Sequence, residues 1–147
     1  MAPRSDQAQW LRSAEEICRR SGGRLTRLRR SILALVLSAE RALTAYELLD
    51  LLRPQDPAAT PAGVYRSLEF LIGQGLVHRI ESSKAFIACA MPDHVHPSQM
   101  LVCRRCGTAV ETEDRHIAAA TEELGRRLGF ALDGNTLELT GLCPSCR

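Results

Sequence analysis

Two Cys-x-x-Cys knuckles, Cys103-Arg104-Arg105-Cys106 and Cys143-Pro144-Ser145-Cys146, constrain this chain more than any other feature. Each knuckle presents two sulfurs to one face of a metal ion. Two knuckles therefore supply the four thiolates of a closed tetrahedral zinc site. They lie far apart in sequence, so the fold must deliver two distant segments to one point. Gly107 follows Cys106 and suits a backbone that turns tightly toward the sulfurs. A redox Cys-x-x-Cys or a pair of disulfides explains two knuckles in one short chain less economically than one structural zinc on Cys103, Cys106, Cys143 and Cys146.

The compartment supports that choice. No apolar run is long enough to span a bilayer, and the Arg-bearing start lacks the apolar block of a signal peptide. The expectation is a cytoplasmic protein with no membrane partner, where thiols stay reduced and bind metal rather than pair. At 147 residues and 45% hydrophobic, the chain can build one ordinary domain or two small ones. The net charge of +2 says little about partners, but its distribution says more. Residues 1–30 carry eight arginines (Arg4, Arg12, Arg19, Arg20, Arg24, Arg27, Arg29, Arg30) against Asp6, Glu15 and Glu16, and the remainder is net acidic. A basic module joined to a mildly acidic one fits DNA binding; a solvated helix face reads the same from charge alone.

The N-terminal half reads as helices. Trp10, Leu11, Ala14, Ile17 and Cys18 recur at helical spacing over 7–21, and Gly22-Gly23 ends the run. Cys18 falls on the buried stripe and reads as a core thiol. Thr26 can cap a second helix with Ile32, Leu33, Val36 and Leu37 inward. Thr44-Ala45-Tyr46-Glu47 is a capping box that opens a third, ending before Pro54. Thr60-Pro61 gives an N-cap and a proline at the first helical position of a fourth, running to about Gly73. Its expected inward residues are Val64, Leu68, Leu71 and Ile72, leaving Ala62, Tyr65, Arg66 and Glu69 outward. Leu76–Glu81 and Ala85–Ala90 then read as a hairpin around Ser82-Ser83-Lys84.

Helices followed by a hairpin make a winged helix-turn-helix, in which the last helix enters the major groove. Arg66 is then the candidate for a bidentate guanine contact and Tyr65 for a phosphate or thymine methyl; the competing reading packs Tyr65 against the domain edge and leaves Arg66 merely solvated. Gly63 costs about 1 kcal/mol in a helix relative to Ala and could let the backbone approach DNA. Beyond a linker at Met91–Pro97, Gln99–Cys103, Thr108–Glu111 and Leu137–Leu142 read as strands. Glu113 to Leu128 reads as a helix, with Glu113 and Asp114 placed in its first turn and Arg126 and Arg127 in its last, as the helix dipole favours. The fold class is thus α/β (α+β): an N-terminal winged helix-turn-helix domain (1–90), a hinge (91–97) and a small C-terminal α/β domain (98–147).

A second set of metal-ligand residue types, His78, Cys89, His94, His96 and Glu111, surrounds the joint between these halves. Two histidines, a thiolate and a carboxylate would make a neutral zinc site that exchanges metal more readily than four thiolates. No tight spacing joins them, so scattered surface polarity remains the competing reading. His116 lies in the C-terminal helix and reads as surface.

With Val64-Tyr65-Arg66-Ser67-Leu68, a histidine at the wing, a His-containing linker and Cys-x-x-Cys-Gly, the chain resembles the ferric uptake regulator family from about residue 8 to 147. Ala45–Leu52, Gly75–Ser82 and Gly141–Cys146 look most like its zinc uptake regulator branch. The resemblance implies a dimeric metalloregulator that represses transcription, with two Zn²⁺ per chain. The structural zinc would sit on the four knuckle cysteines and a sensing zinc on His78, Cys89, His96 and Glu111. Counting back from Cys103 selects His96, although a change in linker length would select His94. Tyr46, Tyr65 and Arg66 match positions that face DNA, and Arg24 and Arg27 join them as candidate DNA-binding residues. Expected partners are double-stranded operator DNA and a second copy, with two dimers per operator if Asp50 and Arg53 pair reciprocally between them.

Other readings compete. A relative sensing iron, manganese or peroxide is one; iron- and peroxide-responsive relatives are usually richer in histidine just before the first knuckle. A non-sensing winged-helix DNA binder would hold only the structural zinc. A zinc hydrolase or deaminase needs an open coordination position and a general acid/base; the four-thiolate site is closed and no His-x-Glu precedes a Cys-x-x-Cys, so no enzyme is expected.

Overall fold

The computed structural model describes residues 7–92, 96–132 and 136–147. The chain forms two compact units, Met1–His94 and Val95–Arg147. His94, the alternative ligand, lies outside the described residues.

In the first unit, α1 (Gln7–Arg20), α2 (Arg27–Ser38), α3 (Ala45–Leu52) and α4 (Pro61–Gly73) enclose one apolar core. Ala14 and Cys18 of α1, Ile32, Leu33 and Val36 of α2, and Leu48, Leu49 and Leu52 of α3 are all buried there. Each such leucine or isoleucine contributes roughly 1.5–3 kcal/mol by leaving water. The capping residues act as the sequence demands. Thr26 accepts from Arg29 N and Thr60 from Gly63 N, each quieting a donor that the first helical turn leaves unpaired. Pro61 fills the first position of α4, where a missing N–H costs nothing.

Beside the helices, β2 (Val77–Ile80) and β3 (Ala85–Ala88) pair antiparallel as the wing. A two-residue strand, β1 (Leu43–Thr44), adds to β3 and gives the order β1-β3-β2. This third strand is absent from the sequence reading, because two residues carry no period. Ile72 also differs: it is exposed, and Ser67 takes the buried place beside Val64, Leu68 and Leu71. A small hydroxyl fits where helix packing is tight. Gly63 does not open a face toward solvent. A Cβ there would lie 3.2 Å from Thr60 Oγ1 and 3.5 Å from Leu28, so its smallness serves the cap and the α2 contact.

The start of α3 is over-determined. Thr44 and Glu47 close the capping box, with Thr44 N donating to Glu47 Oε2 at 2.8 Å. Arg41 donates to Glu47 Oε1 at 2.6 Å. The Arg41 guanidinium first, and then the Thr44 N–H, hold the Glu47 carboxyl down at about 2. A depressed carboxylate stabilises the fold above its ordinary range and loses that contribution as pH falls from about 4.5 toward 2. The side chain is over a third exposed, so solvent screens much of the effect. Glu47→Ala is expected to lower stability by about 1 kcal/mol at neutral pH, the usual worth of a cap, and by less at pH 3. Urea unfolding of both proteins at the two pH values checks this; an equal deficit at both would remove the carboxylate from the account.

In the second unit, β4 (Ser98–Cys103) lies between β5 (Ala109–Thr112) and β6 (Thr136–Gly141). β4 and β5 are antiparallel; β4 and β6 are parallel, which requires the crossover that α5 (Arg115–Leu128) provides. Asp114 is the N-cap of α5 rather than part of its first turn, accepting from His116 N and Ile117 N; Glu113 precedes the helix. Gln99, buried in β4, accepts from Asp114 N at 2.6 Å and ties strand to helix. Gly129 ends α5 at φ +75°, and Gly125 lets Leu132 fold back onto the helix where a Cβ would stand 2.9 Å from it. Among the described residues no helix is long and apolar enough to cross a membrane.

Candidate metal centres and nucleic-acid surface

The parallel pairing of β4 and β6 solves the problem the two knuckles pose. Parallel neighbours end on the same side of a sheet, and Cys103 is opposite Gly141 in register. The first knuckle leaves the end of β4 and the second follows β6 by one residue. Four sulfurs thereby lie within 4.8 Å of one another. Cys106 and Cys143 are 3.7 Å apart Sγ to Sγ. A tetrahedron with Zn–S arms of about 2.3 Å has edges of about 3.8 Å, so the donors fit zinc in kind and in spacing.

Backbone groups complete the cage. Cys103 N donates to Thr108 O at 2.8 Å, Gly107 N to Cys103 O at 3.0 Å, and Arg104 N to Gly141 O at 3.0 Å. Gly107 takes φ +75°, the left-handed turn its position called for. Arg105 Nη1 donates to Cys146 O at 2.7 Å and joins the knuckles by a second route. The N–H groups of Cys143, Cys106 and Arg105 aim at Cys103 sulfur and hold its thiol down at about 6. The Thr108 hydroxyl, and after it the Thr108 N–H, lowers Cys106. Cys146, hydrogen-bonded first to Cys143 among sulfurs that cannot all carry charge without a cation, is pushed up to about 12. Such a cluster asks for a divalent ion.

The residues of the second constellation form one pair in each unit. In the first unit, His78 on β2 and Cys89 just beyond β3 offer ligand atoms within 4.8 Å of each other. The hairpin register places His78 opposite Ile87, and Cys89 N donates to Leu76 O at 3.0 Å, which fixes a thiol that is 2% exposed. In the second unit, His96 Nε2 and Glu111 Oε1 stand 2.8 Å apart, both side chains 4% exposed. Glu111 is held by β5, opposite Met100. No tight spacing links it to the other ligand types, although the sequence places it among them. His116 is exposed on α5.

The nucleic-acid candidates are all surface groups. Tyr46 stands 65% exposed at the start of α3, and Tyr65 is 44% exposed on α4 beside an exposed Arg66. Ala62 and Glu69 share that outer face. Arg24 and Arg27 are exposed where the 21–26 loop enters α2, whereas Arg19 and Arg20 face Glu16, and Arg30 meets Glu15. Asp50 and Arg53 form an exposed i,i+3 pair at 3.0 Å within one chain.

Residues 20–140 match the ferric uptake regulator family. The zinc uptake regulation protein of Escherichia coli K12 is 41% identical over 137 residues, 92% of this chain and 80% of that protein. A zinc uptake regulator solved in complex with zinc and DNA superposes with a TM-score of 0.89 at 38% identity, covering 97% of this chain and 95% of that one. The crystal structure of holo XcZur gives 0.82 at 41% identity over 93% and 96% of the two chains.

Proposed function

Since the chain belongs to the ferric uptake regulator family, we propose that it is a zinc-responsive transcriptional repressor, not an enzyme, that binds operator DNA and controls genes of zinc uptake. One observation carries the reading: each unit brings a pair of zinc-ligand side chains together, His78 beside a buried Cys89 in one and His96 beside Glu111 in the other, while the first also exposes Tyr65 and Arg66 on the last helix of a winged fold. The site and domain assignments extend that reading. Residues 1–90 bind DNA, 91–97 are the hinge, and 98–147 dimerise.

Two zincs per chain follow. Cys103, Cys106, Cys143 and Cys146 hold the structural ion. His78 and Cys89 from one unit, and His96 and Glu111 from the other, hold the sensing ion. When bound, that zinc supplies four-coordinate closure between ligands on separate bodies. The thiolate of Cys89 favours zinc over iron or manganese, which prefer nitrogen and oxygen donors. With the ligands engaged, the spacing of two recognition helices in a dimer is fixed, as half-sites a helical turn apart require. By reciprocity DNA raises zinc affinity by the factor that zinc raises DNA affinity; about 3 kcal/mol of coupling is about 150-fold.

A homodimer is supported by what the second unit leaves uncovered. Leu101 lies in register between Val110 and Leu139, making one exposed apolar row across the sheet. Leu142 and Pro144 extend it into a cleft of about 280 Å³. Leu124, Leu128 and Phe130 add apolar surface that a soluble monomer rarely exposes together. Asp50 and Arg53, exchanged between neighbouring dimers, would seat two dimers per operator. The chain acts in the cytoplasm.

The test counts zinc per chain before and after mild chelation, then selects duplexes from a randomised pool with zinc or with chelator. Two zincs, one removable, and a motif enriched only with zinc are expected. One unremovable zinc, or enrichment indifferent to zinc, would leave a non-sensing DNA binder. Repeating the binding with Asp50→Lys should remove cooperativity; cooperativity intact in that variant reduces the pair to an intrahelical contact.

A further inference from the structure

The structure assigns Arg29 and Phe70 a joint task that neither residue type announces: they position the loop bearing Arg24, and with it the start of α2 bearing Arg27, for phosphate contact. The inference rests on the DNA-binding reading. The guanidinium carbon of Arg29 lies 3.5 Å from the centroid of the Phe70 ring, and Arg29 is half-buried rather than offered to solvent. Its Nη1 donates to the carbonyl of Arg24 at 2.6 Å. One arginine on α2 thus grips the loop backbone with its edge and the recognition helix α4 with its face.

Two further ties act on the same loop. Gly23 lies against the Phe70 ring so closely that a Cβ would stand 3.0 Å from two ring carbons. Ser21, at the loop's start, hydrogen-bonds the side chain of Gln74, the residue that ends α4. The Arg24 carbonyl also accepts from Thr26 N at 3.1 Å, which sets the turn into α2. The loop is therefore referenced to α4, and exposed Arg24 on it and exposed Arg27 at the first position of α2 project from a backbone with few ways to move. Counting arginines credits Arg29 to the DNA-facing charge; its geometry makes it a positioning residue.

The test uses variants that leave net charge unchanged. Phe70→Leu removes the π-face but keeps an apolar filler, and Arg29→Lys keeps the charge but not the planar stack. The zinc-loaded full chain is titrated with a mixed-sequence 30-base-pair duplex at several salt concentrations. For wild type the slope of log affinity against log salt counts phosphate contacts at about 0.9 each. Either variant, with zinc content and thermal midpoint recorded alongside, is expected to lose about one to two contacts from that slope and about tenfold in affinity near 0.15 M salt. In an Arg24→Gln, Arg27→Gln background neither variant should reduce the slope further, because the contacts it positions are already gone. A wild-type slope in both variants, or a loss that adds fully to that of Arg24→Gln, Arg27→Gln, overturns the inference. Failure of the wild-type chain to bind any duplex would instead overturn the DNA-binding reading itself.

Discussion

Cys89→Ser is expected to abolish zinc-dependent operator binding while leaving the fold intact. Cys89 is buried at the end of β3 and its backbone is fixed by Leu76, so a serine fits the same space. The hydroxyl stays protonated where a thiolate would bind zinc, and the ligand set loses its softest donor. Operator affinity with zinc should fall roughly 100-fold, to the level of the metal-free wild-type chain, because the coupling and not the DNA surface is lost. The four-cysteine site lies in the other unit and should keep its ion. Zinc per chain should drop from two to one, with an unchanged circular dichroism spectrum. A variant that still responds fully to zinc removes Cys89 from the sensing site, whatever becomes of the remaining ligands.

Cys143→Ser is expected to act in the opposite manner, on the fold first. The second unit is a three-stranded sheet of four to six residues per strand with one helix, a small body with little core. Structural zinc contributes about 10–16 kcal/mol of apparent binding energy in small domains, and that energy is folding energy. Without Cys143 the metal keeps three ligands, and the second knuckle no longer holds β6 beside β4. Limited proteolysis should cut within 95–147 and leave the helical core of the first unit protected, with the loss of dimer following. If 95–147 stays protected with one zinc fewer, the core of Met100, Val102 and Gln99 is sufficient by itself and the zinc is a passenger.

Much of this was legible in sequence because local chemistry speaks in short words. Thr44 with Glu47, Thr60 with Pro61, and the two knuckles each declare themselves within four residues, and the elements they mark stand where expected. What was not legible depends on distant partners. β1 exists only because β3 is beside it. Ile72 and Ser67 exchange places because packing depth, not hydropathy, decides at the edge of a helix face. Asp114 reads as a first-turn acid until the helix start is seen one residue later. The grip of Arg29 on Phe70 spans forty-one positions, and no periodicity links a cation on one helix to a ring on another. Glu111 stands in the sequence among the ligand types, but its closeness to His96, 2.8 Å, needs the structure.

β4 carries a consequence for how metal leaves the protein. The strand begins two residues after His96, runs past the partner of Glu111 at Met100, and ends at Cys103. A slip of one residue between β4 and β5 would turn Glu111 to the opposite face, and the thiolate cage anchors the end of β4 against such a slip. With the two zincs proposed above, metal loss would be ordered: zinc would leave the His and carboxylate ligands with the cage intact, whereas stripping the cage would release the strand that positions those ligands. On that proposal mild chelation passes through one reversible state, and only harsher chelation unmakes the strand pairing that sets Glu111 beside His96.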